Sequence, residues 1–416
     1  MGGWLIEAAS GRSFPLWDPA EAGRIENFSG DGRWLTYTKS AGGGLSTGIV
    51  VVDLSENQPK PAKVAEGVWP RLGPDGTRLA FGAGFEAQRG WRMDVREADG
   101  TVRSLERRAG SPARWSPDGR WFAYRTAVTT PGADMAIILV DTQTWASRIL
   151  GDVYSCSCDG SYGPFWSPDS RWLVYRFAAE RRGFVVSPAG VRRPIDQGTQ
   201  RVFQWSPDGT ALLTEGSNRH LLLYDVGDGT TRVLATIAGS APVWSPDGNK
   251  AGYEWSDGPR QSVSVLSREG RELMAVPGSG PVEWSADSAF LAAMDGGVAV
   301  YRVATGAREH LLSDAVSPAW SPKTPTVAYV RKGSEDGCAR RPGALSEATA
   351  GRRLWEVSLL EAPSGSERLL ATLAGGCRGD APVITWSPDG RFIALCDTPG
   401  LGLCSSEANE SGGRVG

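Results

Sequence analysis

Short apolar runs recur along the whole chain and alternate with polar segments rich in Gly, Pro, Asp and Ser. Residues 121–124, 137–140, 172–175 and 221–224 are examples, and each run is long enough for a strand but too short for a helix. No apolar run approaches the roughly 18 residues that a membrane-spanning helix needs. The pattern therefore predicts many short strands joined by tight turns, with no membrane insertion.

One motif, Trp-Ser-Pro-Asp-Gly at 115–119, precedes these runs and recurs nearly letter for letter. Two degenerate copies begin at Phe28 and Leu72, and the remaining close copies begin at Trp166, Trp205, Trp244, Trp284, Trp320 and Trp386. Nine copies separated by 36 to 66 residues predict a repeat architecture, in which each copy marks one structural unit.

The composition of the motif has a physical reason. Ser-Pro-Asp-Gly suits a type I turn, since Pro presets its φ angle and Gly takes the last corner. The Ser and Asp side chains can bond nearby main-chain N–H groups, and the Trp is expected to pack between neighbouring sheets. We therefore predict structural rather than catalytic roles for Trp115, Asp118, Trp166, Asp169, Trp205, Asp208, Trp244, Asp247, Trp284, Asp287, Trp320, Trp386 and Asp389.

The segments after each motif complete a four-stranded unit. One strand ends at the Trp, a second follows the turn, and a hairpin such as 221–225 with 231–234 supplies two more. Four-stranded units at a spacing of about 40 residues predict the blades of a β-propeller. The predicted fold class is all-β, with one propeller over residues 1–404 and a frayed polar tail at 405–416.

The two ends of the chain are predicted to share one blade. Residues 1–17 would supply its outer strands and residues 386–404 its inner strands, which leaves no free sheet edge. This arrangement gives nine blades; eight blades with a peripheral segment is the alternative. The longest unit contains an inserted polar loop, predicted at 332–353.

The repeated turn with its following apolar strand resembles the PD40 (WD40-like) repeat of TolB-type propellers. The resemblance covers nearly the whole chain, from Phe28 to Leu395, and similar repeats occur in the propeller domains of prolyl oligopeptidase and dipeptidyl peptidase IV relatives. It implies a TolB-like propeller. Because one propeller fold hosts many functions, the function has to come from particular residues.

The charge and the cysteine content limit which class of partner and which cellular compartment we expect for the chain. A net charge of −3 gives no basic field for nucleic acid. The first residues lack the basic segment of a signal peptide. The six cysteines are candidate disulfide partners and point to a periplasmic or secreted location rather than a cytoplasmic one; they are Cys156, Cys158, Cys338, Cys377, Cys396 and Cys404.

The sequence contains no recognisable set of catalytic residues. Residues 44–48 match the G-x-S-x-G nucleophile elbow, but a strand rather than a helix is predicted after them. The two histidines, His220 and His310, fall in separate predicted units. The Cys-x-Cys pair at 156–158 has too few ligands for a structural zinc. We predict no cofactor and no metal site.

Two loops carry candidate binding residues. Arginine pairs of the inserted loop, Arg340 with Arg341 and Arg352 with Arg353, could recognise a carboxylate or an acidic protein surface. Tyr154 and Tyr162 could anchor a partner from a second loop. Solvated loop charge and a disulfide-tied connector are the structural alternatives.

The predicted function is that of a non-catalytic, monomeric scaffold that binds an unknown protein or peptide on one face or at the channel mouth. An enzyme or glycan-binding propeller with a carboxylate-lined channel is the alternative. A propeller that serves a separate peptidase chain is a further one.

Overall fold

The computed structural model describes residues 2–17, 22–40, 47–56, 58–86, 90–127, 135–153, 164–177, 182–195, 201–216, 219–236, 241–257, 260–336, 352–376 and 382–396. The elements within these ranges are 35 β-strands. The prediction of an all-β fold is confirmed for this part of the chain.

The strands fall into four-stranded units, which we number along the chain. Unit 1 comprises β3 (Ala22–Phe28), β4 (Trp34–Ser40), β5 (Thr47–Asp53) and the first half of β6 (Pro61–Leu72). Unit 2 takes the second half of β6 with β7 (Leu79–Glu86), β8 (Gly90–Arg96) and β9 (Val102–Ala109). Unit 3 has β10 (Arg114–Trp115), β11 (Trp121–Ala127), β12 (Met135–Asp141) and β13 (Ser147–Val153). Unit 4 has β14 (Phe165–Trp166), β15 (Leu173–Phe177), β16 (Arg182–Val186) and β17 (Arg192–Pro194).

The later units follow the same plan. Unit 5 has β18 (Arg201–Trp205), β19 (Ala211–Glu215), β20 (His220–Asp225) and β21 (Thr231–Thr236). Unit 6 has β22 (Val243–Trp244), β23 (Lys250–Asp257), β24 (Arg260–Ser267) and β25 (Glu272–Pro277). Unit 7 has β26 (Ser279–Trp284), β27 (Phe290–Met294), β28 (Gly297–Arg302) and β29 (Ala307–Ser313). Unit 8 has β30 (Ala315–Trp320), β31 (Thr326–Asp336), β32 (Arg352–Glu361) and β33 (Ser366–Gly376), and unit 9 has β34 (Val383–Trp386), β35 (Phe392–Cys396), β1 (Gly3–Glu7) and β2 (Ser13–Trp17).

Antiparallel pairing between strands that follow each other in the chain builds units 1 to 8, and unit 9 also pairs strands from the two ends of the chain. Seven units are separate four-stranded sheets, and the strands β3 to β9 form one seven-stranded sheet. That sheet is two units joined by β6, which pairs with β5 over residues 61–67 and with β7 over residues 68–72. Taken as two, it brings the number of four-stranded units in the described residues to nine.

Strands from the two ends of the chain lie in one sheet. β1 pairs with β35 from Gly3 opposite Cys396 to Glu7 opposite Phe392, and the strand order is β2-β1-β35-β34. Unit 9 contacts unit 8 through β34 and β30, and it contacts unit 1 through β1, β35 and β3. The number of blades in a closed ring stays a prediction.

The predicted inserted segment 332–353 overlaps described strands at both of its ends. β31 continues to Asp336 and β32 begins at Arg352, so both ends of the predicted segment 332–353 are strand. Their pairing, Asp336 opposite Arg352, extends the hairpin beyond the lengths seen in the other units. The segment between them, 337–351, lies outside the described residues.

Side-chain hydrogen bonds hold the motif turn as its composition predicts. In the copy at 115–119, Ser116 Oγ accepts the Trp121 N–H at 2.9 Å and donates to Asp118 Oδ1 at 2.5 Å. Asp118 Oδ1 also accepts the Arg120 N–H at 3.0 Å. Equivalent bonds fix the turns that begin at Ser29, Ser167, Ser206, Ser245, Ser285 and Ser387. The turn is therefore a rigid corner that sets the direction of the following strand.

The motif tryptophans lie at the boundaries between consecutive units. Six of the seven motif indoles donate their N–H to a main-chain carbonyl of the preceding unit. The pairs are Trp115 to Arg71, Trp166 to Arg114, Trp205 to Phe165, Trp284 to Val243, Trp320 to Glu283 and Trp386 to Ala319, at 2.9 to 3.2 Å. Trp244 differs, because its buried Nε1 has no hydrogen-bond partner in the described part of the chain.

The boundary between units 1 and 2 lacks this tryptophan bond. Leu72 occupies the motif position of unit 2, and its side chain has no N–H to donate to unit 1. The Asn27 side chain of unit 1 reaches unit 2 instead: its Oδ1 accepts the Leu72 N–H at 3.2 Å, while its Nδ2 donates to the neighbouring Phe28 carbonyl within unit 1 at 2.9 Å.

A buried ion pair reinforces the same boundary. Arg71 Nη1 donates to Glu26 Oε2 at 2.7 Å, and these residues are only 5% and 7% exposed. Thr38 Oγ1 donates to the other Glu26 oxygen at 3.1 Å. Buried charges are tolerated when they are paired and hydrogen-bonded, as they are here.

Replacing a bonded motif tryptophan by Phe should destabilise the protein more than replacing the unbonded one. Trp284 and Trp244 are 2% and 3% exposed, so both substitutions remove a similar buried volume. Trp284→Phe also loses the bond to Val243, which contributes about 1 kcal/mol. Urea denaturation should show the larger loss for Trp284→Phe; equal losses would mean that the inter-unit bond contributes nothing.

Removing one member of the buried pair should be costly. Glu26→Ala leaves the Arg71 charge buried without its partner, which costs about 3–5 kcal/mol. Glu309→Ala, which breaks a partly exposed pair with Arg302, is the matched control and should cost much less, because solvent screens that pair. Thermal unfolding of the two variants checks the difference, and a comparable small loss in both would contradict a stabilising role for the Glu26–Arg71 pair.

Candidate functional site

The binding residues predicted from sequence lie mostly beyond the described ranges. Arg340, Arg341, Tyr154 and Tyr162 are outside them, and so are five of the six candidate disulfide cysteines. Arg352 and Arg353 begin β32 opposite Asp336 and Glu335, but their side chains are not described. Cys396 ends β35 and is 3% exposed. The roles of these residues and the disulfide pairing stay predictions.

The candidate catalytic residues are not assembled in the described part of the chain. Thr47 begins strand β5, so the G-x-S-x-G segment is followed by a strand, as predicted. His220 begins β20 in unit 5, whereas His310 lies in β29 of unit 7, with Nε2 2.8 Å from the Ala362 carbonyl.

The described residues contain no group of three or more His, Cys, Asp or Glu side chains placed to hold a metal ion. They also contain no helix with the length and apolar character required to cross a membrane.

Two clefts open on the side of the sheets that carries the motif turns, which we call the turn face. The junction cleft, about 440 Å³, lies between units 1 and 2, and the minor cleft, about 200 Å³, lies between units 2 and 3. Asp75 and Arg78 line both clefts, so the two are adjacent. The junction cleft falls within the range of volumes that small-ligand and side-chain pockets usually have.

The larger cleft lies where the repeat loses its tryptophan. Leu72 lines the junction cleft at the motif position, and Trp115 lines the minor cleft at the equivalent position. A Leu side chain fills less space than an indole, so we attribute the extra volume to this substitution. The sequence shows that the motif copy at Leu72 is degenerate, but this departure alone does not predict a binding site.

The floor of the junction cleft is apolar. Leu72 and Leu79 contribute almost fully buried side chains, and Val51 and Val64 stand half-buried in the wall. Trp34 completes the lining, and the Arg33 guanidinium lies 4.9 Å from its ring centroid. The cleft can therefore bury an apolar group against a rigid surface.

Two ion pairs stand on the rim. Arg33 Nη2 lies 2.9 Å from Asp53 Oδ2, and Arg78 Nε lies 2.9 Å from Glu97 Oε2. Burial raises the pKa of Asp53, but hydrogen bonds from Arg33 and Ser55 outweigh that effect and bring its pKa to about 2. The Asp53 carboxylate is therefore charged and already bound at neutral pH.

The other two carboxylates of the lining belong to the motif turns. Asp31 accepts hydrogen bonds from Ser29 Oγ and from the Arg33 N–H. Asp75 accepts both the N–H and the hydroxyl of Thr77. All four lining carboxylates thus have hydrogen-bond partners within the turns and hairpins that carry them.

Two lining cations remain without such partners. Lys60 is exposed and Arg96 is half-buried, and neither side chain forms a salt bridge or hydrogen bond among the described residues. Asp99 is the acidic group next to Arg96, and it is engaged by Thr101 through two hydrogen bonds. The cleft lining therefore carries two cations that an anionic group could approach without breaking an existing pair.

Comparisons with known proteins identify the fold. No family model matches the chain, and no curated protein matches it. A solved structure of a eukaryotic initiation factor is 13% identical, with a TM-score of 0.59 over 90% of this chain and 96% of that chain. Dipeptidyl peptidase 4 from Porphyromonas gingivalis is 14% identical, with a TM-score of 0.51 over 74% of this chain and 57% of that chain.

TolB proteins are among the similar structures. TolB from Acinetobacter baumannii is 18% identical, with a TM-score of 0.32 over 62% of this chain and 63% of that chain. A β-propeller domain of a Cps50 (Swd1) protein matches as well. Such low identities inform on the fold alone. With its four-stranded antiparallel sheets, the chain has a β-propeller fold.

Proposed function

We propose that this chain is a non-catalytic β-propeller that binds a protein or peptide partner on its turn face, with the junction cleft as the anchoring site. The junction cleft itself is the observation that carries the proposal. It combines an apolar floor around Leu72 with a charged rim, at the one unit boundary where both neighbouring motif copies lack Trp.

The chemistry of the described residues favours binding over catalysis. His220 and His310 stand in different units, and the segment after the G-x-S-x-G motif is a strand. Propellers of similar fold include enzymes such as oligogalacturonate lyase and prolyl endopeptidase, so the fold alone does not decide between the two classes. The junction cleft offers a hydrophobic anchor point of the kind that protein interfaces use.

The architecture suits such a role. The turn face is built from motif turns locked by Ser–Asp bonds, and the sheets beneath are joined by indole hydrogen bonds. A preformed rigid surface binds a partner without a cost of ordering loops first. We also propose that the units close into a nine-bladed ring, on the basis of the contact between unit 9 and unit 1.

Filling the junction cleft should abolish partner binding while the fold is retained. Leu72→Trp restores the residue that seven other copies carry at this position, and its indole should occupy the space that a ligand would use. A random 12-residue peptide library displayed on phage is selected on the wild-type chain, and the enriched peptides are synthesised. Their affinity for Leu72→Trp should fall by at least about tenfold, equivalent to about 1.4 kcal/mol.

Two controls accompany this measurement. Val191→Trp adds an indole on unit 4, where Val191 is 52% exposed, and should leave binding unchanged. A deletion of 337–351 tests the predicted loop. Peptides that bind Leu72→Trp as tightly as the wild type, but fail on the loop deletion, would move the site to the loop. A selection that enriches no peptide would contradict the binding function itself.

A further inference from the structure

We infer that the junction cleft selects an acidic segment of its partner, in which an apolar side chain enters the cleft and a neighbouring carboxylate bonds Lys60 and Arg96. This inference rests on the proposed function, because it names the chemistry of the partner that the same cleft would bind.

The charges of the lining identify the anchor. Arg33 and Arg78 are neutralised by Asp53 and Glu97, and these pairs are geometrically complete. Lys60 comes just before β6 in unit 1, whereas Arg96 ends β8 in unit 2. The two unpaired cations thus belong to opposite walls of the cleft, and a carboxylate between them would join the two units. Hydrogen bonds to charged groups are stronger than those between neutral groups.

The same lining excludes a dense polyanion. Asp31, Asp53, Asp75 and Glu97 all border the cleft, so its formal charge is balanced rather than strongly positive. A nucleic acid backbone or an anionic lipid surface would bring several phosphates against these four carboxylates. A peptide can place one or two carboxylates at the two free cations and keep the remaining contacts apolar. The arrangement therefore fits discrete carboxylates on a peptide.

The apolar floor accounts for the second feature of the segment. Leu72 and Leu79 form the bottom of the cleft, while Val64 and Trp34 form its sides. Burying an aliphatic side chain there favours binding, because it removes apolar surface from water. A free carboxylate without an apolar neighbour would leave this surface unfilled. We therefore expect a segment in which Asp or Glu alternates with, or stands next to, Leu, Ile, Val or Met.

The composition of the selected peptides tests this inference directly. Peptides from the 12-residue library that bind the wild-type chain and fail on Leu72→Trp should be enriched in Asp and Glu next to aliphatic residues. Replacing their acidic residues by Asn and Gln should weaken binding by about tenfold, and so should raising NaCl from about 50 to 300 mM, because salt screens exposed charges.

Variants of the protein locate the effect. The double variant Lys60→Gln with Arg96→Gln should bind the acidic peptides about tenfold more weakly and their amide versions unchanged. Arg171→Gln removes one positive charge from the turn of unit 4, where Arg171 is largely exposed, and should have no effect. Each variant is compared with the wild type by thermal unfolding before binding is measured.

The outcomes separate the two proposals. Selected peptides that fail on Leu72→Trp but are not acidic, or that bind the double variant as well as the wild type, would overturn the acidic-segment inference and leave the binding function standing. The absence of any peptide sensitive to Leu72→Trp would remove the cleft as the binding site, and the inference with it.

Discussion

The structure depends on one hydrogen bond repeated from unit to unit. The motif indole N–H reaches across the boundary between consecutive sheets and donates to a main-chain carbonyl of the preceding unit, at 2.9 Å for Trp166 and 3.1 Å for Trp284. The motif turn places the tryptophan at the corner of its sheet, also in the copy at Trp320, where Lys323 replaces the Asp. The same short motif therefore sets both the packing between neighbouring sheets and the direction of the strand that follows the turn. Ser170 and Ser288 stand at the last corner of their motif turns and adopt the left-handed φ of the Gly that most other copies have there. Their hydroxyls accept main-chain N–H groups from the motif turn of the preceding unit, which adds a second bond between units.

The proposed function arises where this interaction is absent. At Leu72 the chain replaces the indole with a smaller side chain, and the boundary is held by Asn27 and by the Glu26–Arg71 pair instead. These polar contacts bond the two units without filling the space above Leu72. The boundary is thus connected but open, which is how a repetitive scaffold can carry one distinctive site. A repeat in which every copy kept its tryptophan would present equivalent boundaries and no preferred place for a partner.

The sequence predicted the elements of the fold well, because its signals are local. The Ser-Pro-Asp-Gly turn and the apolar run after it determine two strands of each unit, and Trp packing followed from residue size. The sequence did not predict the extended hairpin of unit 8, because residues 332–336 and Arg352 are mostly polar, which is typical of a loop. The junction cleft could not be derived either. Lys60, Leu72 and Arg96 are separated in sequence, and only the pairing of β6 with both β5 and β7 brings their units together. The departure from the repeat at Leu72 was the one available signal.

The central claim is that the missing tryptophan at Leu72 creates the partner site. A crystal structure of the chain in complex with a tightly bound selected peptide tests it most directly. The account predicts peptide density in the junction cleft, with an apolar side chain against Leu72 and a carboxylate within hydrogen-bond distance of Lys60 or Arg96. An ordered peptide bound elsewhere, with the junction cleft filled only by solvent, would contradict it.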